Sequence, residues 1–164
     1  MKIILLFTLP VILANSLLAM TISDAKYETE EQTTVVLTIG DQEVEIPSKK
    51  GKYWSDLTVT NDGKMAFMVK RRGSPKSGSW IEDLHAFSVD SYLADPKKYE
   101  LKTIKLQTKK ERAVVMKIFD SSPDGSRLLI SLHYAYEKEG NRTSFRQHPY
   151  FLKTADGTLE KVKP

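Results

Sequence analysis

Ser122-Pro123-Asp124-Gly125-Ser126-Arg127, running into Leu128-Leu129-Ile130-Ser131-Leu132, is the stretch on which the reading of the fold rests. Pro123 fixes φ at the first corner of a turn, Asp124 suits the second, and Gly125 takes the positive φ that closes a hairpin. A degraded copy, Thr60-Asn61-Asp62-Gly63-Lys64, runs into Met65-Ala66-Phe67-Met68-Val69; its glycine precedes Gly125 by 62 residues. Each turn also has a strand-like stretch before it, at 57–60 and at 114–119. The chain therefore reads as a repeat of antiparallel hairpins, an all-β fold built of four-stranded meander units.

Working outward, the first unit spans 53–106, with strands at 53–60, 65–70, 80–90 and 99–106 and room for one helical turn at 90–98. The second spans 113–162, with strands at 113–119, 127–136, 149–154 and 159–162. Upstream, Val35, Leu37 and Ile39 alternate with Thr34, Val36 and Thr38, Gly40-Asp41 makes a turn, and Val44 and Ile46 resume the alternation. This is a hairpin over 33–46. The expected count is ten strands in one domain over 33–162. Residues 20–32 are acidic and without apolar periodicity, and read as a linker.

Residues 1–19 read as a signal peptide: Lys2 is a minimal positive region, 3–13 an apolar core, and 14–19 a stretch rich in small residues for cleavage. The apolar run is broken by Pro10 and is shorter than the ~20 residues a membrane span needs. The expected location is thus outside the cytoplasm, periplasmic or secreted. An uncleaved anchor is the alternative. There is no cysteine, so neither a disulfide framework nor a lipid-acylated cysteine is available.

The run 120–131 resembles the repeat signature of TolB-like β-propellers, in which a Ser-Pro-Asp-Gly turn, a basic residue and an apolar run link the first two strands of a blade. Asp83-Leu84-His85-Ala86-Phe87-Ser88-Val89-Asp90 is similar to the third strand of that repeat, and 149–157 is a weaker copy. The resemblance implies two blades over 53–162, a possible half blade at 33–46, and an exported binding platform. A closed ring needs at least about four blades, so the chain is expected to form an incomplete propeller or a two-sheet sandwich.

Catalytic signatures are largely absent from the sequence. It has no Gly-x-Ser-x-Gly elbow, no His-Glu-x-x-His and no phosphate-binding Gly-x-x-x-x-Gly-Lys-Ser. The glycine- and serine-rich run 73–79 is not followed by a helix that would hold a phosphate. Glu82 and Asp83, adjacent on a strand, point to opposite faces. His85, His133 and His148 lack metal-ligand spacing. No metal and no cofactor is expected. Asn141-Arg142-Thr143 is a glycosylation sequon if the source is eukaryotic.

Net charge is +4, too mild to imply specific nucleic-acid binding. Its distribution is more informative. Residues 24–46 carry one lysine and seven acids, whereas 47–114 carry fifteen bases and eight acids. In an up-and-down meander alternate connections share one end, which groups 47–53, 71–81, 107–112 and 137–146. These hold twelve bases against three glutamates, a balance of +9, while the opposite end collects the turn aspartates. The bland explanation covers the aspartates, since tight turns prefer them; no turn rule demands the bases. A one-signed face concentrates counter-ions. The candidate binding residues are Arg71, Arg72, Lys76, Trp80, Lys109, Lys110, Arg112, Arg142 and Arg146.

The leading expectation is a non-catalytic binding protein that engages an acidic protein, an acidic glycan or a phosphorylated glycolipid. Two others stand beside it: a small secreted hydrolase or metal-assisted enzyme using His133 and His148, and half of a propeller completed by self-association.

Overall fold

The two Asp-Gly turns lie against each other. In the computed structural model, which describes residues 20–74, 76, 80–107, 113–134 and 147–163, a Cβ placed on Gly125 would sit 2.9 Å from Met65 Sδ and 3.0 Å from Thr60 Cγ2. Gly125 has φ +67° and Gly63 φ +66°. Glycine is needed at Gly125 twice over, for the left-handed backbone and for the close approach of the other hairpin.

From these turns the strands extend as three antiparallel sheets. The first contains β1 (Ile22–Tyr27), β2 (Thr34–Ile39) and β3 (Gln42–Pro47) in the order β1-β2-β3. The second runs β4 (Lys52–Val59), β5 (Met65–Arg72), β6 (Trp80–Ser88), β7 (Lys102–Ile104), with helix α1 (Val89–Ala94) between β6 and β7. The third runs β8 (Ala113–Ser121), β9 (Arg127–Tyr134), β10 (Gln147–Lys153), β11 (Leu159–Lys161). Both four-stranded meanders read from the sequence are present, and the fold is all-β.

The second sheet is covered on both faces. Phe67, Val69 and Leu84 pack against Leu128, Ile130 and Leu132 of the third sheet. Their neighbours Ala66, Met68 and Phe87 point the other way, against Val35, Leu37 and Ile39 of the first. This explains why 65–69 is continuously apolar instead of alternating: a strand buried on both faces has no solvent side to mark. The 33–46 hairpin thus belongs to a third layer, and among the described residues the stack has three sheets in series with no closed barrel.

Two expectations need correction. The stretch 20–32 is not a linker along its whole length, because β1 lies within it and pairs antiparallel with β2. A bulge between Ile22 and Asp24 shifts the phase, so that Ile22 is buried and Ala25 and Tyr27 still reach the core. Period two is broken at that point, which hid the strand. Eleven strands are therefore found among the described residues, where the sequence suggested ten. In addition, the strand expected over 99–106 shrinks to Lys102–Ile104. Tyr99 leaves the sheet to join an aromatic cluster, with ring centroids 5.6 Å from Phe87 and 5.3 Å from Tyr92. The helical turn expected within 90–98 is present as α1, begun one residue earlier and capped by Ser88, whose hydroxyl accepts from the Ser91 amide.

Residues 1–19, read as a signal peptide, lie outside the described residues. Among those described, no helix is long and apolar enough to cross a membrane.

Candidate functional site: a pair of joined basic loops

Lys49 and Lys50 stand exposed in the turn between β3 and β4. The turn is fixed from inside: the Lys52 amide donates to Lys49 O (3.0 Å), and the Ser48 hydroxyl donates to Lys52 O (2.6 Å). At its tip the Gly73 amide donates to Gly51 O (2.9 Å). That bond joins the 47–52 turn to the loop that follows β5, and the pairing of Lys52 with Arg72 continues the connection into the sheet. Lys49, Lys50, Lys52 and Arg72 are thereby brought to one place by backbone hydrogen bonds. The first three belong to the basic set counted from sequence but not to the residues singled out for binding.

The singled-out residues divide. Arg72 is exposed at the end of β5, opposite Lys52 on one side and Trp80 on the other. Arg71, its neighbour, is turned into the sheet. Its Nη2 lies 2.8 Å from Asp56 Oδ2, its Nε donates to the Ser55 hydroxyl, and only 12% of its side chain is exposed. Arg71 is an internal ion-pair partner, not part of the exposed surface. Lys76 is 86% exposed and stands 3.8 Å from Glu30 Oε2, a geometry that adds little to stability. Trp80 opens β6. Lys109, Lys110, Arg112, Arg142 and Arg146 lie outside the described residues.

The acids of the former linker alter the charge of this end. The loop between β1 and β2 carries Glu28, Glu30 and Glu31, all exposed. It is tied to the basic turn by the bond from Ser48 N–H to Thr33 O (2.7 Å) and to the start of β4 by that from Trp54 N–H to Gln32 O (2.8 Å). Among the described residues this end therefore carries both signs, the bases on the second sheet and the acids on the first. Gln32 holds φ +54°, so the loop reverses without a glycine and offers no turn signal in the sequence.

The opposite end gathers the turn aspartates, and Asp62, Asp124 and Asp156 each close their own turn. Asp62 Oδ1 accepts from the Thr60 hydroxyl (2.6 Å) and the Lys64 amide (2.9 Å). Asp124 Oδ1 accepts from the Ser122 hydroxyl (2.7 Å), the Ser126 amide (3.0 Å) and the Ser126 hydroxyl (2.8 Å). These bonds, the one from Ser122 first, hold the Asp124 carboxyl down at about 2. Asp156 accepts from the Thr158 amide (2.9 Å) and is likewise lowered. A carboxylate spent on three local donors is a turn device, not a ligand set.

Of the histidines, His85 is buried in the second sheet, with its Nδ1 3.3 Å from the Thr103 hydroxyl and its ring edge-on to Trp54. His133 stands opposite Gln147, and His148 opposite Leu132, so the two histidines occupy different cross-strand rows. Among the described residues there is no group of three or more His, Cys, Asp or Glu able to hold a metal ion.

Comparisons with protein-family models, with curated proteins and with solved structures find no match to this chain.

Proposed function

We propose that this chain is an exported, non-catalytic binding protein of TolB-like repeat architecture, which engages an anionic partner through its joined basic loops. The observation that carries the reading is the Gly73–Gly51 hydrogen bond: it presents Lys49, Lys50, Lys52 and Arg72 as one surface. Bases fixed in position by the backbone lose less conformational freedom on binding than bases on free loops. The partner is an acidic protein, an acidic glycan or a phosphorylated glycolipid, each of which carries several anionic groups. Because the contact is between exposed charges, its strength falls as salt rises.

Heparin affinity chromatography tests this. The protein is retained at low salt, and the triple variant Lys49→Glu/Lys50→Glu/Arg72→Glu elutes at markedly lower salt while keeping its melting temperature. Elution of both proteins at the same salt concentration would remove the proposal.

A further inference from the structure

Among the described residues the first sheet has three strands where the others have four, and strand direction shows which position is open. β5 and β9 leave the Asp-Gly turns and run away from them. β1 starts at the same end, where the Ile22 amide donates to Gly63 O (2.7 Å), and runs the same way. β1 therefore corresponds to the second strand of each four-stranded sheet, β2 to the third and β3 to the fourth. The open position is the first, beside β1 on the edge nearest β4.

Backbone parity points to the same edge. The Glu28 amide donates to Thr34 O, and Lys26 stands opposite Val36 in the same register. In an antiparallel pair this directs the amides and carbonyls of residues 24, 26 and 28 toward β2, and those of Ala25 and Tyr27 away from it. Beside that edge is an open cavity of about 310 Å³, lined by Ile22, Ser23, Asp24, Ala25, Leu57 and Val59. Leu57 and Val59 belong to the apolar surface between the first two sheets but are only partly covered.

We propose that this edge is a strand-addition site for an extended peptide segment of a partner protein, alternating apolar and basic residues. Backbone pairing with Ala25 and Tyr27 supplies the sequence-independent part of such binding, and alternate side chains supply the selectivity. On one face the added side chains meet Leu57 and Val59, which calls for apolar residues. On the other they extend the outer face of the first sheet. There the register rows Asp24–Thr38–Glu43 and Lys26–Val36–Glu45 set three acids against one lysine, and Lys26 is already paired with Glu43 (3.2 Å). Basic residues complement that face. The site is separate from the basic loops, which select the opposite charge.

The test is NMR titration of the labelled protein with an acetylated, amidated KVKVKV hexapeptide, with EVEVEV as the control. The expected result is saturable binding of KVKVKV alone, with shifts at residues 23–27 and at Leu57 and Val59. Ala25→Pro removes an amide that β2 does not use, and should abolish binding without loss of fold. If that variant unfolds, Asp24→Lys decides: its side chain is exposed, and reversing one cross-strand charge should weaken KVKVKV about threefold and raise the affinity for EVEVEV. Absence of saturable binding, equal binding of both peptides, or shifts confined to Lys49, Lys50 and Arg72 would each overturn the proposal. Concentration-dependent shifts at residues 23–27 without peptide would overturn it too, by making a second copy of the chain the occupant.

Discussion

Arg71 and Arg72 are adjacent in sequence and have opposite fates. One is fixed against Asp56 and Ser55 inside the sheet, and the other stands at the exposed end of β5. The pleat guarantees that neighbours on a strand face opposite ways, but which one faces in is decided on β4. There Asp56 sits in a bulge with φ +53°, and the carboxylate meets the guanidinium. That bulge is a property of the folded pair and is not written beside Arg71. Local turn chemistry, by contrast, is legible one residue at a time: Pro123, Asp124 and Gly125 do what their types imply. Asp124 carries a pH consequence. Its folded pKa of about 2 lies below the ordinary carboxylate value of ~3.9. The stabilisation it brings is therefore complete above about pH 4 and disappears as the pH falls through about 2. Urea midpoints measured from pH 6 to pH 2 should be flat and then fall at the acid end. The fall should be shallower in Asp124→Asn, which has no proton to take up; identical acid slopes would contradict the assignment.

Element by element, the strands with a clean pattern were found by it. β2 and β3 alternate as their registers require, and β8 and β9 flank the turn that anchors the reading. The strands that escaped are those whose pattern is interrupted by something distant. β1 is broken by its bulge, and most of the expected 99–106 strand is drawn off by the Phe87–Tyr92–Tyr99 cluster. β5 shows how the layers were concealed. An apolar run on one strand says both faces are buried, but not what covers the second. A pair of variants separates the possibilities. Phe67 faces the third sheet and Met68 the first, and both are fully buried. Phe67→Ala should cost about 3–5 kcal/mol and Met68→Ala about 2–5 kcal/mol in denaturant unfolding. A two-layer packing predicts that one of the two is nearly neutral.

At the scale of the whole molecule, the two outer faces of the stack differ in character. The first sheet turns Asp24, Glu43 and Glu45 outward. On the third, Phe119 and Phe151 are 52% and 37% exposed, with Lys117 held over the Phe119 ring and Arg127 over Phe151. Among the described residues the basic turn 47–52 and the loop after β5 lie at the end opposite the Asp-Gly turns, as strand parity requires, and the extra strand β1 does not disturb this because it precedes the rest. What parity did not anticipate is that the β1–β2 loop returns Glu28, Glu30 and Glu31 to the basic end. An acidic stretch without apolar periodicity gives no reason to place its charges at either end. Both the stack and its open edge rest on the position of β1 and on the burial of the middle sheet. Native-state hydrogen exchange measures the two together. The slowest amides should lie in β5 and β6 of the middle sheet; the amides of Asp24 and Lys26 in β1, and of Glu28 just after it, should be protected while those of Ala25 and Tyr27 exchange quickly. Fast exchange throughout residues 22–28, or a middle sheet no slower than its neighbours, would contradict the account.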